Sequence, residues 1–151
     1  MRINKTTLFF VLFVVVGTVL ISFLSTVNYQ SRAVVGGKTY NIDVADTTYT
    51  LTKGLSGRTS LGKNEGMVFV FGKPDKYGIW MKDMLFPIDI IWMDENFKIV
   101  HIEKEVKPET YPKIFSPDRL STYVLEIASG QVDSTGIKVG DKVDFIYKNS
   151  I

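Results

Sequence analysis

Residues 8–27 read LFFVLFVVVGTVLISFLSTV, and from Thr6 to Ser31 there is no charged side chain. As a helix rising 1.5 Å per residue, such a run is about 30 Å long, the thickness of a bilayer's hydrocarbon core. A helix buried in a soluble domain would show a polar stripe, which this one lacks. The run is therefore expected to cross a membrane. A cleavable signal has a shorter apolar region that ends at a small-x-small site. Here the one tidy triplet, Ser31-Arg32-Ala33, lies well past the run. An uncleaved signal-anchor is accordingly expected. Arg2, Lys5 and the terminal amine would hold the N-terminus inside, leaving the rest of the chain outside. The expected organisation is a cytoplasmic stub over 1–7, a transmembrane helix over 8–27, a tether over 28–31 and an extracytoplasmic domain over 32–151. The expected location is the cell membrane, single-pass, with the bilayer as one partner.

This segmentation changes the meaning of the net charge of +2. Of the 18 basic residues, Arg2 and Lys5 precede the apolar run, which leaves 16 against 16 acidic residues in the remainder. A neutral domain lacks the counterion-release drive behind nucleic-acid affinity, so no nucleic-acid partner is expected. There is no cysteine and a single histidine, His101. Disulfides, thiolate chemistry, a Ser-His triad and a histidine-based zinc site are thereby disfavoured. No metal and no cofactor is expected. The chain is also too apolar, at 45% hydrophobic and 13% aromatic, to remain disordered.

Past the tether, short apolar runs alternate with turn signals. Ala33 to Val35, Gly36-Gly37 and Lys38 to Val44 predict a hairpin, because Gly-Gly suits turns that need positive φ. Asp46 or Thr47 can cap a short helix running to about Lys53, with Gly54 to end it. Strands are predicted over Gly66 to Phe71, Tyr77 to Met81, Pro87 to Met93, Lys98 to Glu103, Tyr123 to Ala128 and Val143 to Tyr147. Pro108, Pro112 and Pro117 predict a surface loop from Lys107 to Arg119. Gly130 to Gly136 suggests one helical turn or a loop. The fold class expected is mainly β: a compact antiparallel sandwich or partly closed barrel with one or two short helices.

Several blocks then fall in a familiar order: Gly54-Leu55-x-x-Arg58, Gly66-Met67-x-Phe69-x-Phe71, Trp80-Met81-Lys82, Pro87-x-Asp89-Ile90-Ile91, Tyr123-Val124-Leu125-Glu126 with Gly130, and Gly140-Asp141. Taken together over Val35 to Phe145 they resemble the DUF192 family, a widespread prokaryotic domain of unknown function. The resemblance implies a compact β fold, often behind a signal or anchor, and carries no activity with it. The chain departs from the family's usual pattern at Ser56, often Met, and at Asp83-Met84, where Asn or Thr usually follows Trp-Met-Lys.

Two carboxylates stand out by position. In the strand PIDIIWM, Asp89 alternates onto a face with Ile91 and Met93. In YVLEIA, Glu126 shares a face with Val124 and Ala128. Carboxylates on apolar faces need partners, because unpaired burial costs several kcal/mol. Arg58 and Lys82 are the candidate cations. One reading has Asp89 and Glu126 as a general acid and base of an extracytoplasmic hydrolase. The reading favoured here is a structural network, for example an Arg58–Asp89 ion pair. Trp80, Met81 and Trp92 could form an aromatic wall for a sugar or a small apolar ligand, although core packing is the simpler role. His101 is expected to face outward, and Lys104, Glu105, Lys107 and Glu109 to form a solvated edge. The functional expectation is a non-catalytic module binding a small ligand or envelope protein, with Arg58, Trp80, Lys82, Asp89 and Glu126 as candidate ligand contacts. The alternative is a hydrolase using Asp89 and Glu126.

Overall fold

The computed structural model describes residue 4 and residues 30–146. The expected span over 8–27 lies outside these residues, as does Tyr147 of the predicted last strand. Among the described residues, no helix is long and apolar enough to cross a membrane.

The hairpin forms as its glycines predict. Strand β1 (Arg32–Val35) turns through Gly36 and Gly37, at φ +58° and +70°, into β2 (Lys38–Ala45). Helix α1 (Thr48–Lys53) starts in a capping box, with Thr47 and Thr50 each satisfying the other's backbone N–H, and it ends at Gly54. The connection through α1 returns the chain to the same end of the sheet. Strand β3 (Glu65–Asp75) therefore runs parallel to β2, pairing Asp43 with Met67. The expected antiparallel arrangement is corrected at this one ladder. A six-residue helix suffices to carry the crossover, and the caps that announce it do not say in which direction the next strand runs.

The remaining strands are β4 (Ile79–Trp80), β5 (Ile88–Met93), β6 (Ile99–Val106), β7 (Ile114–Phe115), β8 (Ser121–Ala128) and β9 (Asp144–Ile146). A second helix, α2 (Gln131–Thr135), is flanked by Gly130 and Gly136. Seven strands form one mixed sheet in the order β6-β5-β8-β3-β2-β1-β9, and β4 pairs with β7 in a separate two-stranded sheet. The segment 107–119 is thus not wholly irregular. Between its prolines, Ile114 and Phe115 pair with Ile79 and Trp80.

The large sheet bends its two edges toward each other. Backbone hydrogen bonds run from Ile99 N–H to the Asp141 carbonyl (2.8 Å) and from Val143 N–H to the Phe97 carbonyl (3.0 Å). A lone bridge joins Lys98 to Lys142, and the sheet does not close into a barrel. Each face carries its own apolar core. One holds Ile42, Val68, Ile91, Met93, Leu125 and Ile127, and the other holds Leu55, Phe69, Ile79, Ile90, Trp92 and Val124. β5, covered on both sides, is buried at all its positions, which is why its sequence is an almost unbroken apolar run.

Candidate functional site

The register of β5 against β8 sets the arrangement of the two acids. Ile90 pairs with Glu126, and Asp89 pairs with Ile127. Paired residues share a face and successive residues alternate. Glu126 therefore lies on the side of Ile90, Trp92 and Val124, and Asp89 on the side of Ile91, Met93 and Ile127. The structure does not bring the two carboxylates into one cleft.

Asp89 is wholly buried and its oxygens are occupied by backbone donors. Its Oδ1 accepts from the N–H of Glu105 (2.8 Å) and of Gly130 (3.2 Å), and its Oδ2 accepts from the N–H of Val132 (2.8 Å). Glu105 sits at φ +50°, where the β5–β6 pairing shifts register. One carboxylate thus locks an irregularity in β6 to the first turn of α2. Arg58 takes no part in this network.

Glu126 is the opposite case. It is 4% exposed, and no described residue hydrogen-bonds its carboxyl. Burial pushes its pKa from the ordinary 4.5 to about 8, and the Arg58 charge opposes that rise only in part. Arg58 cannot do more because it is engaged elsewhere: its Nη2 donates to Asp43 Oδ2 at 2.7 Å, with both side chains partly in solvent. Met67 lies between the two acids, paired with Asp43 on one side and with Glu126 on the other.

Above Glu126 is a cavity of about 90 Å³, walled by Leu51, Leu55, Phe69, Phe71, Ile79 and Met84, with Trp80 at its edge. Lys53, Gly54 and Ser56 separate it from a second hollow of about 320 Å³ that includes Tyr49, Arg58 and Met67. The two hollows flank the loop 53–58. That loop is held by its own polar groups. The N–H groups of Gly54, Ser56, Gly57 and Arg58 donate to the carbonyls of Thr50, Lys53, Asp83 and Leu55, respectively. Ser56 Oγ donates to the Lys82 carbonyl at 2.8 Å.

Asp83 adopts φ +54°, a left-handed conformation that Asn, Asp and Gly tolerate best. The departure from Asn at this position thus keeps a residue type the turn accepts. Lys82 itself is exposed, and only its carbonyl joins the cleft's framework.

Of the proposed aromatic wall, Met81 and Trp92 are core residues, 1% and 0% exposed. Trp80 is 45% exposed, with the Tyr111 ring edge-on to it at 6.3 Å. His101 does not point freely outward, because a register shift near Val100 sets it opposite Trp92, ring against ring at 5.3 Å. The sequence pattern did not expose the walls Phe69, Phe71 and Met84, or Tyr111 beside Trp80. These residues come together only through the parallel β2–β3 ladder and the β4–β7 pair, and no local pattern announces either. Among the described residues, no group of three or more His, Asp or Glu side chains is placed to hold a metal ion.

A mixed, two-faced sheet with a capped cleft over one face defines a small β domain of the kind the motif blocks suggested. The chain belongs to the DUF192 family of uncharacterized proteins, whose model matches residues 31–145. The fold is similar to that of a protein of unknown function from Novosphingobium aromaticivorans DSM 12444, which is 31% identical with a TM-score of 0.70 over 76% of this chain and 83% of that one. It is also similar to a candidate transcription regulator from Sinorhizobium meliloti 1021, 25% identical with a TM-score of 0.70 over 77% of this chain and 92% of that one. No protein of curated function matches the chain.

Proposed function

We propose that this chain is a membrane-anchored, extracytoplasmic module that binds a small uncharged polar ligand in the Glu126 cleft without transforming it. The observation that carries this reading is Glu126, 4% exposed and lining a largely apolar-walled cavity, whose carboxyl has no hydrogen-bonding partner among the described residues. Such a group is costly to keep unless something outside the protein completes its hydrogen bonds. The uncharged run over 8–27 and the basic residues before it support the anchor and its orientation.

A general acid with a raised pKa would also suit hydrolysis, but it needs a second group in reach. Asp89 is on the other face and occupied, and Asp43 is paired with Arg58. The regulator described for the Sinorhizobium protein brings nucleic acid into view for this chain. The 16 basic and 16 acidic residues beyond the apolar run leave no net field to attract phosphates.

The test is a ligand screen by chemical-shift perturbation on the full-length chain, using small neutral amides and alcohols. The reading predicts saturable shifts confined to residues 51–58, 69–71, 79–84 and Glu126, all lost in Glu126→Leu. Shifts elsewhere, or none with any compound, contradict it. Fractionation and impermeant labelling of Lys142 test the anchor. Recovery of full-length chain from the soluble fraction, or labelling only after cells are opened, contradicts it.

A further inference from the structure

The charge pattern around the Glu126 cleft narrows the class of ligand. A cation is disfavoured at the floor, because Arg58 already lies close enough to act on Glu126 and would repel a second positive charge. An anion is disfavoured too. The loop N–H groups that would cradle it, at Gly54, Ser56, Gly57 and Arg58, are all spent on protein carbonyls. The Arg58 guanidinium is itself held by Asp43, and the ammonium of Lys53, the other cation at the cleft, lies over the Tyr49 ring. What remains is a neutral group that both donates and accepts a hydrogen bond, matching a carboxylic acid, which does the same.

Size and surroundings add two more constraints. A floor of about 90 Å³ between Leu55, Phe69, Ile79 and Met84 admits only a few heavy atoms, at least one of them apolar. At its mouth, Trp80 presents a half-exposed indole backed edge-on by Tyr111. An exposed aromatic face beside a hydrogen-bonding floor suits a flat-sided, hydroxyl-rich ring whose C–H groups lie on the indole.

We propose that the cleft recognises a sugar carrying an acetamido group, with the acetamido methyl among Leu55, Phe69 and Met84, its amide on the Glu126 carboxyl, and the sugar ring against Trp80. This assignment rests on the binding-module reading above and names its ligand class. An acetamide has one donor, one acceptor and one methyl, and therefore uses every feature of the floor.

The experiment is calorimetric titration of the full-length chain, in a detergent without a sugar headgroup, with chitotriose and with cellotriose. The two trimers differ in the acetamido groups. The expected result is saturable binding of chitotriose and binding of cellotriose weaker by about tenfold or more. Trp80→Ala should weaken chitotriose by about tenfold in a protein that still melts cooperatively, since the indole is partly exposed. Glu126→Gln, which still donates and accepts, should keep the affinity within a few-fold, whereas Glu126→Leu should abolish it in a protein that still melts cooperatively. Equal affinity for the two trimers, or none for either, overturns the assignment. If simple amides or alcohols still shift the cleft residues in that case, the binding site stands and only the sugar is wrong. If they do not, both readings fall.

Discussion

Asp89 and Glu126 are separated by a single register step across the β5–β8 ladder, yet they face opposite sides of the sheet. One is saturated by three backbone N–H groups, and the other has no hydrogen-bonding partner among the described residues. The difference follows from what covers each face. On the Asp89 side, the Glu105 bulge and the start of α2 turn donors inward. On the Glu126 side, the loop after α1 spends its donors on itself and leaves a cleft. Two acids in similar strand patterns therefore sit in different surroundings, one bracing the fold and one lining the cleft.

Replacing Asp89 should be severe. Asp89→Ala strands three buried donors and is expected to cost about 3–5 kcal/mol, as removal of one side of a buried charged network does. Asp89→Asn should still cost more than about 2 kcal/mol, since its NH₂ must face a donor. Urea unfolding measures both. A loss below about 1 kcal/mol for the alanine variant would show that the network is not a brace.

The stability of the wild-type protein should fall with rising pH because of Glu126. Its folded pKa, about 8, exceeds its ordinary 4.5, so between these values the folded state binds the proton that the unfolded state has released. The stabilisation is complete below about pH 4.5 and is lost as pH climbs through about 8, with a limiting slope of about 1.4 kcal/mol per pH unit. Glu126→Gln has no such proton to lose. Its melting temperature should exceed that of the wild type most at pH 8–9, and the gap should shrink toward pH 5. A gap independent of pH contradicts the assignment.

How far the residues alone foretold this architecture depends on the range of the interaction. The hairpin at Gly36-Gly37, the Thr47 cap and the doubly buried β5 are local matters of φ, side-chain capping and apolar run length, and each was legible. The parallel β2–β3 ladder was not, because the caps of a short helix do not say in which direction the next strand will pair. The same ladder sets Asp43 in line with Met67 and Glu126, so Arg58 meets Asp43 and not the Asp89 that the strand pattern offered as a partner. Alternation marked both Asp89 and Glu126 as unusual. It could not say that they point apart, since that depends on how one strand's phase meets the next.

Removing the Arg58 charge should act on Glu126 more than on the fold. Arg58 and Asp43 form a partly exposed pair, for which a loss of under about 1 kcal/mol is expected in Arg58→Met. Arg58 holds the Glu126 pKa down, so the variant's Glu126 should titrate at higher pH than in the wild type. Lys53, at the same cleft, remains in place. An unchanged or lowered midpoint would mean that Arg58 does not act on Glu126.

Gly66 of β3 pairs with Ile127 of β8. A Cβ there would be 2.7 Å from the Glu126 carbonyl oxygen and 3.1 Å from Ile127 Cγ2. Since the first contact is backbone, Gly66→Ala should part the two strands at a cost of about 1–3 kcal/mol. The change should be visible as a lower melting temperature and as shifted amide resonances at Glu126. An alanine variant as stable as the wild type would contradict the contact.

The most direct test is the titration of the Glu126 side-chain carboxyl carbon, followed by ¹³C NMR in the full-length protein. A buried, unpartnered carboxyl predicts a midpoint near 8, with the group neutral at pH 6. A midpoint near the ordinary 4.5 would mean a carboxylate already satisfied by solvent or protein, leaving the cleft without the group on which its ligand would rest.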